Sequence, residues 1–260
     1  MKLPNPVTTF FGAALARKAL NLRGLPLIPK ALWASAPSYR TGFNQFVMWI
    51  DRLQLTGVHQ VVDVGACHGD FSQAATSMFP NAQVLLVEPS VLMQTELARR
   101  SAEHNGRWRL AKCALGRKRG AGSLYIDPKH ADIASLVGFS DEYLRANSAA
   151  NPQECLECEV RTLDDLCEEH AITVIDLLKI DVEGFEFEVL EGGVNILSNT
   201  RAIVVELSLI RQSGSEDALE RMLKYLRLAG FHFVDLIASY FDPDKDWRPV
   251  EFNLLARRID

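Results

Sequence analysis

Short apolar runs alternate with amphipathic stretches along most of the chain, a rhythm that implies a parallel sheet flanked by helices. The apolar runs predict strands over residues 60–64, 83–87, 109–113, 174–180, 202–207, 232–237 and 252–257. Helical spacing of apolar positions predicts helices over 42–55, 70–79, 91–104, 185–197 and 216–229, with Gly230 just past the last of them, where a helix C-terminus favours glycine. Residues 117–170 interrupt this rhythm. They predict two short strands, 123–126 and 157–161, and a polar helix near 141–147. In an open α/β sheet such a loop-rich insertion is expected to roof the ligand crevice at the carboxyl ends of the strands. The expected organisation is a helical cap region over 1–55 followed by one α/β domain over 56–260.

Length and composition fit that picture: 260 residues, 48% hydrophobic and 23% charged, with mean hydropathy near zero. The net charge of −5 argues against a nucleic-acid partner. Residues 1–50 nevertheless carry six basic side chains and no acid, leaving the remainder at −11. The basic start, with Phe10, Phe11, Ala14, Leu15 and Leu22 near one helical face, fits a packing cap, a membrane-surface helix or a targeting segment. Its apolar core, 11–16, is too short to span a bilayer, and five prolines divide the first forty residues. The five cysteines lack framework spacing, so free thiols and a cytoplasmic location are expected. Cys155, Cys158, Cys167 and His170 invite a zinc reading, but alternation places Cys158 in a strand and Cys167 in a helix, so no zinc site is expected.

The run Val61-Val62-Asp63-Val64-Gly65-Ala66-Cys67-His68-Gly69-Asp70 carries the strongest chemical signal. An apolar strand ends near an acid, and two glycines then open a helix whose N-terminus offers free backbone donors. The fixed charge of Asp63 disfavours a pyrophosphate and favours a cationic, phosphate-free nucleoside such as S-adenosylmethionine. Glu88, at the end of the second strand before Pro89 and 25 residues after Asp63, suits ribose hydroxyls, a feature shared with NAD-binding folds. The spacing Gly-x-x-x-Gly, rather than Gly-x-Gly-x-x-Gly, favours the phosphate-free cofactor.

A second landmark is Leu178-Lys179-Ile180-Asp181-Val182-Glu183-Gly184-Phe185-Glu186. A lysine in a buried strand needs a partner, and Lys179 and Asp181 project to the same side. Glu206 closes the next apolar run, either facing an acceptor or marking the strand's exit into water. His68 is expected to point outward from the glycine loop. His130 lies in the insertion, where a base could approach the crevice.

Taken in order, these segments, with Ala114-Leu115-Gly116, Ala134-Ser135-Leu136, Arg161-Thr162-Leu163-Asp164-Asp165-Leu166 and Glu191-Gly192-Gly193, resemble the FkbM-type methyltransferase family from about Gln60 to Arg257. The resemblance implies a class I methyltransferase, Rossmann-like fold: a seven-stranded, mostly parallel sheet with one reversed strand. It implies S-adenosylmethionine as donor and a hydroxyl on a sugar, glycolipid or polyketide-type small molecule as acceptor. It places Asp63, Gly65, Ala66 and Gly69 at the methionine and ribose end, Glu88 and Pro89 at the ribose, Cys113 and Ala114 near the adenine, and Asp181 at the cofactor amino group or acceptor. Cys67 stands where the family usually has Asn.

The expected reaction is an in-line displacement with Glu183 as base, Lys179 and Asp181 tuning its charge, and His130 and Glu206 in reserve. Paired carboxylates leave open a divalent ion that lowers the hydroxyl pKa, although no metal ligand is assigned. Methylation of nitrogen or a macromolecule, and an inactive cofactor-binding module docked on a membrane, are the alternatives. A homo-oligomer is compatible with the sequence.

Overall fold

A computed structural model describes residues 39–127, 130–146, 154–211, 217–242 and 248–259. Of the cap expected over 1–55, residues 1–38 lie outside the described residues. Helix α1 (Tyr39–Arg52) leads to β1 (Gln60–Val64), then α2 (Asp70–Met78), β2 (Gln83–Val87), α3 (Val91–Glu103) and β3 (Trp108–Ala111). The chain next builds β4 (Ala114–Leu115), β5 (Gly120–Asp127), β6 (His130–Ser135), α4 (Asp141–Ala146) and β7 (Glu154–Arg161). It returns through α5 (Leu163–Glu169), β8 (Leu177–Ile180), α6 (Glu186–Glu191), α7 (Val194–Leu197), β9 (Ala202–Ser208), α8 (Ala218–Leu228), β10 (His232–Asp242) and β11 (Arg248–Arg257).

The main sheet has seven strands in the order β10-β11-β9-β8-β1-β2-β3. Only β11 is reversed, running antiparallel to both β9 and β10. This is the class I methyltransferase sheet that the resemblance implies. The central strands bury both faces, which is why they read as continuous apolar runs. Alternate residues feed two cores. Val62, Leu85, Leu178 and Ile203 pack with Leu166, Val189 and Met222 on one face. Val61, Leu86, Leu177 and Val204 pack with Ile50, Phe71 and Leu97 on the other. No helix among the described residues is long and apolar enough to cross a membrane.

Strands β4 to β7 form a second sheet in the order β4-β7-β5-β6, in which the expected strands near 123–126 and 157–161 pair antiparallel. On β7, Leu156, Cys158 and Val160 alternate inward as expected, while Cys155 is exposed. Cys167, on α5, is part of the main core.

Several boundaries differ from the sequence reading. Strands β4 and β6 were not expected, because β4 is two residues long and β6 is only weakly apolar. The strand expected over 174–180 begins at Leu177, with Ile175 making a single bridge to Thr200. Strands β10 and β11 extend past 237 and before 252 as a bulged hairpin. The helix expected over 185–197 is two short helices broken at Gly192 and Gly193. A side chain at Gly192 would lie 2.1 Å from the Gly116 carbonyl oxygen, so the break lets β4 pass close by.

Candidate active site

The carboxyl ends of β1, β2 and β8 open on one cavity of about 350 Å³. The second sheet contributes Leu124, Ala134 and Leu136 to its wall, and α1 contributes Phe46.

The loop after β1 is held by protein acceptors. The N–H groups of Gly65 and Ala66 donate to Val87 O (3.0 and 3.1 Å), Gly69 N–H donates to Ala66 O (2.6 Å), and Cys67 N–H donates to Glu88 Oε2 (2.9 Å). Glu88 also accepts from Ser90 N–H at Oε1 (2.8 Å), so its carboxylate clasps the loop while facing the cavity. Burial raises the Glu88 pKa against these hydrogen bonds. Each oxygen keeps a lone pair for a further donor.

Gly65 lines the cavity, but its lack of a side chain serves the protein itself. With φ +73°, a Cβ there would sit 1.7 Å from the Asp181 carbonyl oxygen. Gly69, expected beside the cofactor, is instead the left-handed cap of α2, packed over Leu97, Trp108 and Leu86 and away from the cavity wall. Arg100 steadies the loop from below, donating to His68 O and to Asp70 Oδ1 (2.8 Å). His68 is exposed, and it is among the residues that line the cavity.

Asp63 also departs from expectation. It is fully buried behind the loop, off the cavity wall, and accepts from Ser72 Oγ at 2.6 Å. Burial raises its pKa, opposed by Lys179. The Lys179 ammonium is the hub: it donates to Gly65 O (2.9 Å), pairs with Asp181 Oδ2 (3.0 Å) and stands 3.6 Å from Asp63 Oδ1. Burial works against its charge, but Asp181 and Asp63 hold it firmly protonated. A lysine so engaged is a structural cation and not a proton shuttle.

Asp181 faces the cavity. Burial would raise its pKa, but Lys179 and a hydrogen bond from Glu206 hold it below the usual carboxylate value. Glu206 lies behind it, off the cavity wall, with Ser239 Oγ and Asn253 Nδ2 each 3.3 Å from its Oε1. Burial and the Asp181 charge push its carboxyl above the ordinary range. Glu206 is only partly buried, and it does not line the cavity.

Glu183 lines the cavity from a left-handed backbone (φ 60°), followed by left-handed Gly184. Such a pair marks a turn held by its surroundings: Ser135 Oγ donates to Glu183 O (2.6 Å), and Glu186 Oε1 accepts from Gly184 N–H (2.8 Å). The Glu183 carboxylate pairs with Arg211, a residue the sequence reading missed. Arg211 is buried, reaches Glu251 at 3.3 Å and stacks its guanidinium 3.9 Å from the Tyr143 ring centre. A single arginine after an apolar strand carries no pattern, and only the fold brings it to Glu183.

Asp181, Glu183 and Glu206 each bring an oxygen within 4.8 Å of the others. Lys179 and Arg211 supply positive charge to this cluster. Cys113 and Ala114 line the wall beyond β3, and burial pushes the Cys113 thiol up to about 12, leaving it neutral. His130 belongs to β6, but its side chain lies outside the described residues.

The cavity fits S-adenosylmethionine on its own chemistry. The amides of Gly65, Ala66, Cys67 and Gly69 are spent on protein acceptors, so they form no cradle for a pyrophosphate. The carboxylates of Glu88 and Asp181 instead favour hydroxyl donors and positive charge.

A family model described as the methyltransferase FkbM domain matches residues 63–233. The 2-O-methyltransferase NoeI of Sinorhizobium fredii (strain NBRC 101917 / NGR234) is 28% identical over 156 residues, covering 57% of this chain and 63% of that protein. The alignment thus spans less than two thirds of NoeI. The methyltransferase sdnD of Sordaria araneosa is 27% identical over 226 residues, covering 77% and 82%. Among solved structures, precorrin-6y C5,15-methyltransferase from Geobacter metallireducens GS-15 overlays with a TM-score of 0.47 at 14% identity, covering 87% of this chain and 93% of that one.

Proposed function

This chain belongs to the FkbM methyltransferase family, and we propose that it moves a methyl group from S-adenosylmethionine to a hydroxyl of a small molecule or glycan. The observation that carries the reading is one acidic cavity holding Glu88, Asp181 and Glu183, with the loop amides already spent. The printed name of NoeI, a 2-O-methyltransferase, favours an oxygen acceptor.

When bound, S-adenosylmethionine supplies an electrophilic methyl group on a positively charged sulfur. Glu88 accepts hydrogen bonds from ribose hydroxyls, Asp181 faces positive charge, and Cys113 and Ala114 give a neutral wall beside the base. Phe46, Leu124, Ala134 and Leu136 exclude water from the reacting pair. The catalytic contribution is mainly orientation, since two bound partners need only a short approach. Glu183 takes the acceptor's hydroxyl proton. An oxygen becomes far more acidic as it gains a methyl group, so a carboxylate beside it can take the proton as transfer proceeds.

Glu183→Gln is expected to leave S-adenosylmethionine affinity within about twofold while slowing transfer by about 10²–10⁴-fold, the usual worth of a general base. Calorimetry measures the first quantity. The second is read from transfer of labelled methyl to a panel of methyl glycosides and their deoxy counterparts. Full turnover in the variant would remove Glu183 from this role, and labelling of deoxy and hydroxy compounds alike would remove the hydroxyl acceptor.

A further inference from the structure

We propose that Arg211 is a positioning residue for methyl transfer, a role that rests on the reading of Glu183 as the base. Braced by α4, Arg211 holds one carboxylate oxygen of Glu183 and leaves the other to take the acceptor's proton.

Glu183 is held at two separate points. Its left-handed backbone (φ 60°) is anchored through the carbonyl, which accepts from Ser135 Oγ on β6 (2.6 Å). Its carboxylate is anchored by Arg211 Nη2, which pairs with Oε2. Oε1 has no part in that pair. Glu183 lines the cavity and Arg211 does not, so Arg211 acts on a substrate through Glu183.

Arg211 is fixed in turn. It is buried, and Nη2 also reaches Glu251 Oε1 on β11 (3.3 Å). The guanidinium lies 3.9 Å from the ring centre of Tyr143 on α4 and 5.5 Å from that of Phe139, two rings that stack on each other. A planar cation against a ring face is held in orientation as well as in place, which a lysine would not be. The backbone beneath it is tied to the start of the same helix. Ser140 N–H donates to Arg211 O (2.8 Å), Ser140 Oγ donates to Ile210 O, and Tyr143 N–H donates to Ser140 Oγ (3.0 Å). Tyr143, Ile210 and Val250 close a small apolar cluster around this contact. The segment from β6 to α4 thus supports the base twice, at its backbone directly and at its carboxylate through Arg211.

Two effects follow for the reaction. The Arg211 charge favours the ionised carboxylate, the form that can accept a proton. Its fixed plane aims that carboxylate, and a misplacement of about 1 Å can cost about 10²-fold in rate. The other ionisable groups around Glu183 are Asp181 at the end of β8 with Lys179 behind it, Glu206 on β9, Glu186 on α6, and Glu251 and Tyr143 across Arg211. Among the described residues, Arg211 is the cation paired with Glu183. As the C–S bond breaks and the C–O bond forms, the hydroxyl proton moves to Oε1, and it passes to solvent once the products leave.

The test follows the Glu183 carboxyl directly. Protein carrying carbon-13 at the glutamate carboxyls is titrated by NMR, with Glu183→Gln identifying the resonance. In Arg211→Met, which removes the charge, the Glu183 midpoint is expected to rise by about 1–3 pH units. Arg201→Met is the control: it breaks the ion pair with Asp176 at the opposite end of β8 and is expected to leave the midpoint unmoved. Calorimetry on Arg211→Met is expected to find S-adenosylmethionine affinity within about twofold of native, while labelling of the glycoside panel slows by about 10–10²-fold. Added to Glu183→Gln, Arg211→Met is expected to slow transfer no further, because the carboxylate it acts through is already gone. An unmoved midpoint in Arg211→Met, an equal shift in Arg201→Met, or a further loss of turnover in the double variant overturns the proposal. Full turnover in Glu183→Gln, or a panel in which nothing is labelled, strikes the base reading instead, and the midpoints then decide whether Arg211 holds Glu183. If Arg211→Met does not fold, Arg211→Lys, which cannot rest flat on the rings, takes its place with a smaller shift of the same sign.

Discussion

Gly65→Ala is expected to unfold well below the native protein and to lose donor binding altogether. Alanine at φ +73° costs about 1–2 kcal/mol for the left-handed backbone. Its Cβ would also sit 1.7 Å from the Asp181 carbonyl oxygen, and no rotamer relieves a clash between two backbones. Overpacking of this kind adds about 1–3 kcal/mol. At about 2–4 °C per kcal/mol, the melting temperature should fall by about 4–20 °C. Gly57→Ala is the control, because Gly57 also has a left-handed backbone (φ +60°) but no atom within 4 Å of the added carbon. Thermal unfolding of both variants separates the two costs. Equal losses at the two positions would show that backbone handedness alone matters and that the β1–β8 approach is loose.

Lys179→Met should be the most damaging change that leaves the backbone alone. It removes one ammonium and strands two carboxylates, Asp63 and Asp181, which sit 3.6 and 3.0 Å from it. Breaking a buried ion pair by deleting one partner costs about 3–5 kcal/mol, or about 6–20 °C in a protein of this size. The pH dependence has a definite sign. Lys179 has a raised pKa in the fold, so its contribution is complete below its ordinary value of 10.5 and is lost only as pH rises through the folded value. Asp181 is lowered, so its contribution is present above 3.8 and disappears as pH falls through its folded value. The gap between native protein and variant should therefore be widest from neutral to mildly alkaline pH and should shrink in acid, as the stranded carboxyls take up protons. A gap that stays constant into acid would mean that methionine simply packs badly.

The sequence disclosed those parts of the site that one segment encodes by itself. An apolar strand followed by spaced glycines marks the loop after β1, and Lys179 two residues before Asp181 marks a charge on a buried strand. What stayed hidden arises from contacts between distant segments. Arg211 meets Glu183 only because the chain after β9 folds under Tyr143 of the second sheet's helix. The Glu206 carboxyl is raised above its ordinary range by burial and by Asp181 beside it, which neither residue's neighbours reveal. The roles of Asp63 and Gly69 were misplaced for a related reason. Spacing showed them near the crevice, but only packing shows that they face into the protein, one toward Ser72 and Lys179 and the other toward Trp108. The hairpin β10–β11 was too short in the sequence reading because its outer half alternates irregularly around bulges.

Strands β1 and β8 lie side by side, yet the Lys179 ammonium and the Gly65 carbonyl it binds are 114 residues apart, with the whole second sheet between them. Strands β1, β2 and β3 follow one another through single helices and can associate early, whereas the β1–β8 seam must wait for a long loop to close. During synthesis the inner edge of β1 stays unpaired until β8 has emerged, which makes that edge the exposed, aggregation-prone surface of the nascent chain. Asp181 and Glu183 reach the cavity only once the seam is shut. A ligand that grips them recognises the finished molecule alone, and by mass action it draws late folding intermediates toward completion.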